Sequence, residues 1–197
     1  MSQEYGSVEL VGDDVVRHFA LAVLVAALTA ALAQVSVPLP GSLPPFSLQP
    51  FGAFFAGLLL GPLWGGLALA LYVLAGIAGA PVFSNGNAGL GYVLVGQGTG
   101  GFIVGFLVGA VVGGAIVHRR VEPRPLDEVS PVYQVGGLFA TLVVVYAVGV
   151  PWLSAVTGLP ISRAAAVMAP YVPLDAVKLL VAVGIVRGGA LTSRATR

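Results

Sequence analysis

Residues 48–79 read LQPFGAFFAGLLLGPLWGGLALALYVLAGIAG, and this apolar stretch decides the class of fold. As one continuous helix it would be about 48 Å long at ~1.5 Å per residue, whereas the hydrocarbon core of a bilayer is ~30 Å thick. Gly61 and Pro62 interrupt it, because glycine commonly closes one helix and proline commonly opens the next. The sequence therefore predicts two membrane helices here, 48–61 and 62–79.

Charged residues are scarce and lie away from this stretch. The chain is 57% hydrophobic and only 9% charged, against roughly 25% charged residues in ordinary globular domains. Asp, Glu, Lys and Arg are absent from His18 to His118. Such a long uncharged interval cannot form a water-facing surface, so we predict an all-α integral membrane protein.

Further apolar runs complete a predicted bundle of six transmembrane helices. The runs are 18–35, 99–117, 132–150 and 171–187. The acidic start of the chain lacks the positive charges of a signal peptide, so the first run is expected to be a retained helix. The sixth helix is expected to become regular near Pro173, in its first turn. The segments 36–47 and 80–98 are predicted to be loops, and residues 1–197 a single membrane domain.

Arginine is concentrated at two places, between the fourth and fifth predicted helices and after the sixth. The residues are Arg119, Arg120, Arg124, Arg187, Arg194 and Arg197. Cytoplasmic segments of membrane proteins carry an excess of Lys and Arg, so both places are expected in the cytoplasm. The tails 1–17 and 188–197 are then both cytoplasmic in a multi-pass protein of the plasma membrane. The uncharged segments 36–47, 80–98 and 151–162 face the outside.

Composition and motifs exclude several classes of function. A net charge of +1 provides no basic surface for nucleic acid, and the absence of cysteine excludes thiolate metal sites. The sequence contains no HExxH, GxSxG or phosphate-binding lysine loop. His18 and His118 lie at predicted helix ends, where a position at the membrane interface is expected. We therefore predict a binding protein, not an enzyme, with no catalytic residues, metal or cofactor.

Asp175 and Lys178 are the most informative pair of residues, because both lie in the sixth predicted helix and Lys178 is the only lysine of the chain. Their i, i+3 spacing puts them on one helix face. Each charge would cost roughly 2.5–3.5 kcal/mol at mid-membrane unless it is paired or hydrated, and such charges commonly mark a substrate site. The alternative interpretation is a salt bridge that neutralises both groups and locks the helix.

Uncharged residues in and before the segment 80–98 form a second group of candidates for ligand binding. Amides could donate and accept hydrogen bonds for a neutral polar ring system, and aromatic residues could supply an apolar wall. The candidates are Asn85, Asn87, Gln97, Phe83, Tyr92 and Gln49. The alternative is that asparagine and glycine only build turns, and that Gln49 anchors a helix end at the membrane interface.

Small residues recur on the first predicted helix. Ala22, Ala26 and Ala30 follow one another at intervals of four, and small residues at this spacing let helices approach closely. The spacing favours packing within the chain and contact with a partner protein equally.

Several of these segments resemble the BioY family, the biotin-binding S components of energy-coupling factor transporters. The similar segments are VPLPGSLPPFSLQPFGAFFAGLLLGPLWGGLALALYVLAGIAGAPVF, NGNAGLG, TGGFIVGF and PYVPLDAVK, in this order. The resemblance covers about 20–187, nearly the whole hydrophobic chain. The chain departs from the family near Gln97, where it has GQGTGG and the family usually reads GPTGG.

The resemblance implies six helices in an S-component-like bundle that captures biotin from the outer side. It carries the ligand site over to Asp175 and Lys178, and to Asn85 or Asn87. It also implies an energising module of one transmembrane coupling subunit and two ATPases, docked on the alanines of the first helix. An S component or permease for another vitamin, and a structural membrane protein without a small ligand, are the alternatives.

Overall fold

The computed structural model describes residues 12–38, 43–95 and 98–195. In this part of the chain seven α-helices account for most residues, as the predicted all-α class requires. The helices are α1 Asp13–Gln34, α2 Pro50–Ile77, α3 Leu90–Leu94, α4 Gly100–His118, α5 Pro131–Thr157, α6 Ile161–Met168 and α7 Tyr171–Ala195. Two short antiparallel strands, β1 Ser36–Val37 and β2 Phe46–Ser47, and a 3₁₀ turn at Ser84–Gly86 complete the described structure.

Four of the described helices are long and apolar enough to cross a membrane: α1, α2, α4 and α5. A fifth span results if α6 and α7, which meet at a bend of 49°, cross together. A helical membrane protein is therefore the correct class. The predicted count of six spans is not confirmed by length and composition, because α2 is counted once although its sequence contains two predicted helices.

The break predicted inside α2 is present. Gly61 has φ 71° and ψ −172°, a backbone conformation that glycine adopts without steric cost, and Pro62 follows it. The Gln49 side chain donates a hydrogen bond of 2.7 Å to the Tyr72 hydroxyl, although the two residues are 23 positions apart. A straight helix would separate them by about 35 Å. The helix α2 therefore folds back at Gly61 into two antiparallel halves.

The glycines of α4 let neighbouring helices approach it closely. A Cβ atom on Gly105 would lie 2.9 Å from the Cα of Val145 in α5, and one on Gly114 would lie 2.7 Å from the carbonyl carbon of Gly61 in α2. Both distances are too short for a side chain. These positions place α4 between α2 and α5, in agreement with the packing role expected of small residues in membrane helices.

Several predicted boundaries are wrong. The helix α1 begins at Asp13 and not at residue 18, because acidic residues in a first turn are favoured by the helix dipole. The helix α5 passes through Pro151 to Thr157, since one proline removes a single helical hydrogen bond that a packed bundle tolerates. The short helix α3 lies in the segment 80–98, which was expected to be a loop, and α6 lies between the fifth and sixth predicted helices, where no helix was expected.

Candidate functional site

Asp175 and Lys178 form a buried ion pair in the first turns of α7. The Lys178 Nζ lies 2.7 Å from the Asp175 Oδ1, and the two residues are 7% and 6% exposed. A charge removed from water to this degree needs both a counter-ion and further hydrogen bonds. The contacts around the pair therefore decide what the site can bind.

Each member of the pair has a second partner from another part of the chain. The Tyr146 hydroxyl of α5 donates a hydrogen bond of 2.7 Å to the Asp175 Oδ2. The Lys178 ammonium donates one of 2.7 Å to the Ser47 carbonyl, and its Nζ lies 4.0 Å from the centre of the Phe46 ring. The site therefore joins α5, α7 and the strand β2.

The segment that ends in β2 is held against α7 at a second point. The Tyr171 hydroxyl donates a hydrogen bond of 2.7 Å to the carbonyl of Pro44, and the rings of Phe46 and Tyr171 lie 6.4 Å apart. Two side chains of α7, Tyr171 and Lys178, thus satisfy backbone carbonyls of an irregular segment. Backbone of this kind is tolerated at membrane depth only where such partners exist.

Gln49 anchors a separate polar network next to the ion pair. Its Nε2 donates to the Tyr72 hydroxyl at 2.7 Å, and its Oε1 accepts from the Ser84 hydroxyl at 2.9 Å. The Tyr72 hydroxyl in turn donates to the Val82 carbonyl at 3.1 Å. A primary amide has two donor hydrogens and two acceptor lone pairs. Gln49 therefore has one donor hydrogen and one acceptor lone pair beyond these two contacts, and it also lines a cavity.

A cavity lies between these groups and a mainly apolar wall. Its polar lining comes from Ser47, Gln49, Ser84, Tyr92, Thr99, Tyr146, Tyr171, Asp175 and Lys178. Its apolar lining includes Phe46, Phe54, Phe102, Ile103, Phe106, Leu142, Val145 and Met168. A concave, largely apolar space with a few convergent polar groups is the usual form of a small-molecule site.

The cavity brings together four of the candidates expected from the sequence. Asp175, Lys178, Gln49 and Tyr92 all line it. Phe83, Asn85 and Asn87 are not among its lining residues, and Gln97 lies outside the described residues. The part that each candidate plays in ligand binding stays a prediction.

Phe83 supports the cavity wall from behind. It is fully buried, its ring stacks on the ring of Tyr92 with centres 5.5 Å apart, and the edge of Tyr72 meets it at 5.6 Å. Burial raises the pKa of the Tyr92 phenol, so its hydroxyl is protonated at neutral pH. Tyr92 therefore presents a neutral aromatic surface to the cavity.

The two asparagines hold the shape of the loop between α2 and α3. Asn85 has φ 61°, and its Oδ1 accepts a hydrogen bond of 2.8 Å from the Ser36 hydroxyl. The Asn87 Nδ2 donates one of 2.7 Å to the Ser84 carbonyl. Asparagine is among the few residues that adopt a positive φ readily. These contacts agree with the alternative interpretation, in which the asparagines build turns and do not bind a ligand.

Tyr146, Tyr171 and Ser47 are site residues that the sequence analysis missed. A signal was available for Tyr146, because a tyrosine hydroxyl inside an apolar helix needs a hydrogen-bond partner. Ser47 gave no such signal, since its contribution is a backbone carbonyl.

The alanines of α1 face α2 to different degrees. Ala22 is fully buried, whereas Ala26 and Ala30 are partly buried and pack against the core of the same chain. Ala26 and Ala30 therefore stay partly accessible, whereas Ala22 serves packing within the chain.

Comparison with known proteins agrees with this architecture. The chain is 40% identical over 178 residues to a biotin transporter BioY of Rhodobacter capsulatus, covering 84% of this chain and 88% of that protein. It is 38% identical over 151 residues to a biotin transporter BioY of Thermotoga maritima, covering 76% and 82%.

A solved structure has the same fold. The crystal structure of the S-component for biotin from an ECF-type ABC transporter superposes with a TM-score of 0.77, covering 90% of this chain and 93% of that one at 22% identity. The model of the BioY family matches residues 2–195. The family suggested by the sequence motifs is therefore confirmed, and the chain belongs to the BioY family.

Proposed function

We propose that this chain is the substrate-binding membrane subunit of a vitamin uptake transporter and that its ligand is biotin. The observation that carries the proposal is the buried pair of Asp175 and Lys178 in the wall of an apolar cavity. The relatives named above are biotin transporters, which supports a transport subunit and not an enzyme. The ligand passes through unchanged, so the site needs to recognise biotin but not to activate it.

The charge balance of the cavity favours one orientation of biotin. Lys178 is the single cation among the cavity-lining residues, and Asp175 already neutralises it. A carboxylate placed beside this pair would add an uncompensated charge at a buried position. The ureido ring is neutral and offers N–H donors and a carbonyl acceptor. We therefore place the ureido ring at the pair and the carboxylate towards the opening.

The apolar wall suits the rest of the ligand. Phe54, Phe102 and Phe106 line the cavity together with aliphatic side chains, and Tyr92 adds an aromatic face. Burying the sulfur-containing ring and the aliphatic chain of biotin there contributes about 25 cal/mol per Å² of apolar surface removed from water. The polar pair then supplies specificity, and the wall supplies much of the affinity.

Energy for uptake must come from partner proteins in this proposal, because the sequence has no phosphate-binding lysine loop. We propose a transmembrane coupling subunit and two ATPases as these partners, with α1 as the docking helix. Of Ala22, Ala26 and Ala30, the last two remain partly accessible.

Six membrane crossings in the plasma membrane, with both termini in the cytoplasm, form the topology that we propose. The two antiparallel halves of α2 support two crossings in place of one. Gln49 meets Tyr72 at one end of the hairpin, and Gly61 lies beside His118 at the other. Together with α1, α4, α5 and the bent pair α6 and α7, this gives an even number.

Isothermal titration of the purified protein with biotin tests the proposed ligand, with thiamine as the comparison. We expect saturable binding of biotin and a higher melting temperature in its presence. A well-folded protein that binds neither compound would indicate a structural membrane protein. A preference for thiamine would keep the architecture and replace the ligand.

A further inference from the structure

The hydrogen bond of Tyr146 joins the charged pair on α7 to α5. Its hydroxyl lies 2.7 Å from the Asp175 Oδ2, while Lys178 occupies the Oδ1 at 2.7 Å. The ring of Tyr146 lines the cavity and meets the ring of Phe102 edge-on, with centres 6.0 Å apart. The Oδ1 of Asp175 is therefore held from α7 itself, and its Oδ2 is held from α5.

The position of Tyr146 is fixed independently of α7. Its neighbour Val145 packs against Gly105 of α4 at backbone contact, and α4 is the helix that α2 and α5 share. The closely packed part of the bundle thus fixes the position of Tyr146, and the hydrogen bond from Tyr146 fixes the orientation of the Asp175 carboxylate. A small rotation of Asp175 would break either the bond to Tyr146 or the bond to Lys178.

The direction of the Tyr146 hydrogen bond has a chemical consequence. The phenol donates and the carboxylate of the ion pair accepts. An ionised carboxylate can only accept hydrogen bonds. Each carboxylate oxygen can accept a further hydrogen bond beyond those from Lys178 and Tyr146, so a ligand with an N–H donor gains a charge-assisted hydrogen bond that a ligand without one lacks.

We propose that Tyr146 is a positioning residue that determines specificity: it fixes the Asp175 carboxylate so that the cavity selects a ligand with an N–H donor at that point. This inference rests on the proposed function, because the ureido ring of biotin supplies such donors. Lys178 meets the ligand acceptor, and Asp175 meets the ligand donor.

The test compares biotin with two analogues, each methylated at one ureido nitrogen, by titration of wild type and the Tyr146→Phe variant. The wild type should bind biotin more tightly than at least one analogue. In the variant the Kd for biotin should rise by roughly tenfold. The Kd of the discriminated analogue divided by the Kd of biotin should therefore be smaller in the variant than in the wild type. Biotin loses a directed hydrogen bond in the variant, whereas the analogue never formed it.

Two controls separate positioning from packing. Tyr133→Phe makes the same change on α5 at an exposed residue that is bonded to Arg119, and it should leave both Kd values unchanged. In an Asp175→Asn background the further effect of Tyr146→Phe should become small, since residues that act through one group are not additive. Fully additive effects, or a raised Kd with an unchanged ratio, would show a packing role and overturn the inference.

The wild type alone also tests the inference. If it binds biotin and both methylated analogues equally, the cavity does not select an N–H donor and the inference fails, while the proposed ligand stands. If it does not bind biotin, the proposed function fails and the inference fails with it.

Discussion

At the scale of single residues, the two interpretations of Asp175 and Lys178 are both visible in the structure. The residues form a salt bridge of 2.7 Å, and the same side chains line a cavity. A pair that only locked a helix would not need to face a cavity. Pairing and ligand recognition are compatible, because each charged group has more hydrogen-bonding positions than its partner uses.

Substitution of the pair distinguishes its roles. Lys178→Ala and Asp175→Asn should each weaken biotin binding by about tenfold or more, because a buried polar group of the ligand then stays unpaired at a cost of roughly 1–3 kcal/mol. Isothermal titration of both variants measures the loss. A purely structural pair would behave otherwise: single variants would lose thermal stability, the double variant would regain part of it, and biotin would not stabilise the wild type.

Asp175 and Lys178 were predictable from the sequence because they are charged, and most other residues of the site carry no such signal. A charge in an apolar helix stands out against its neighbours, whatever the fold. The carbonyl of Ser47 has no such signature, and its contact with Lys178 joins positions 131 residues apart. The role of Asn85 in a turn depends on a positive φ, which the sequence alone does not fix.

At the scale of helices, the break in α2 was predictable because glycine and proline have strong local preferences. The contact of His118 with this break was not predictable. The residue was expected at the membrane interface, but it is 1% exposed. Its Nε2 lies 3.1 Å from the Leu58 carbonyl, and Pro62, four residues after Leu58, has no N–H to serve that carbonyl. The imidazole thus completes the end of the first half of α2.

The other imidazole nitrogen of His118 accepts a hydrogen bond of 2.9 Å from the backbone N–H of Arg124. His118→Ala leaves this donor and the Leu58 carbonyl without their partner, so we expect a loss of about 1–3 kcal/mol in the free energy of unfolding. His118→Gln restores one donor and should lose less. Unfolding in detergent with increasing denaturant provides the measurement.

His18→Ala is the matched control for this experiment. His18 is only half-buried, with its Nδ1 2.7 Å from the Asp14 carbonyl and its ring stacked on Trp64. Water can replace the hydrogen bond there, so the loss should be clearly smaller. Equal losses for both histidines would argue against the role of His118 at the break of α2.

The helix α1 offers a test of partner docking. Ala30→Leu adds bulk at a partly accessible position and should reduce recovery of the coupling subunit in a co-purification while biotin binding persists. Ala22→Leu is the contrasting change, since it overpacks a fully buried site at a cost of typically 1–3 kcal/mol. Loss of both the complex and biotin binding in Ala30→Leu would indicate packing within the chain instead.

At the scale of the whole molecule, the length of the first half of α2 explains the position of the cavity. The half from Pro50 to Leu60 is about 16 Å long at ~1.5 Å per residue, roughly half of the hydrocarbon thickness. In the proposed six-crossing topology its outer end therefore lies below the membrane surface. The irregular segment before it must then find hydrogen bonds inside the protein, and Tyr171 and Lys178 supply them.

This depth could not be read from the sequence. Hydropathy reports how apolar a segment is, and the segment 48–79 is apolar throughout, so the fold of α2 back on itself changes its depth without changing its composition. The fold class follows from composition because apolar segments recur along most of the chain. The number of crossings depends on contacts such as that between Gln49 and Tyr72.

Labelling of single cysteines from either side of the membrane decides the number of crossings. The natural chain has no cysteine, so Val37→Cys and Glu122→Cys each create one reactive thiol, and Val37 is 58% exposed. Between the two positions the chain passes through α2 and α4. If α2 crosses twice at Gly61, the number of passages is odd and the thiols label from opposite sides, with Glu122→Cys on the cytoplasmic side. If α2 crosses once, the number of passages is even and both thiols label from the same side. Labelling of both variants from the same side would therefore overturn the six-helix topology.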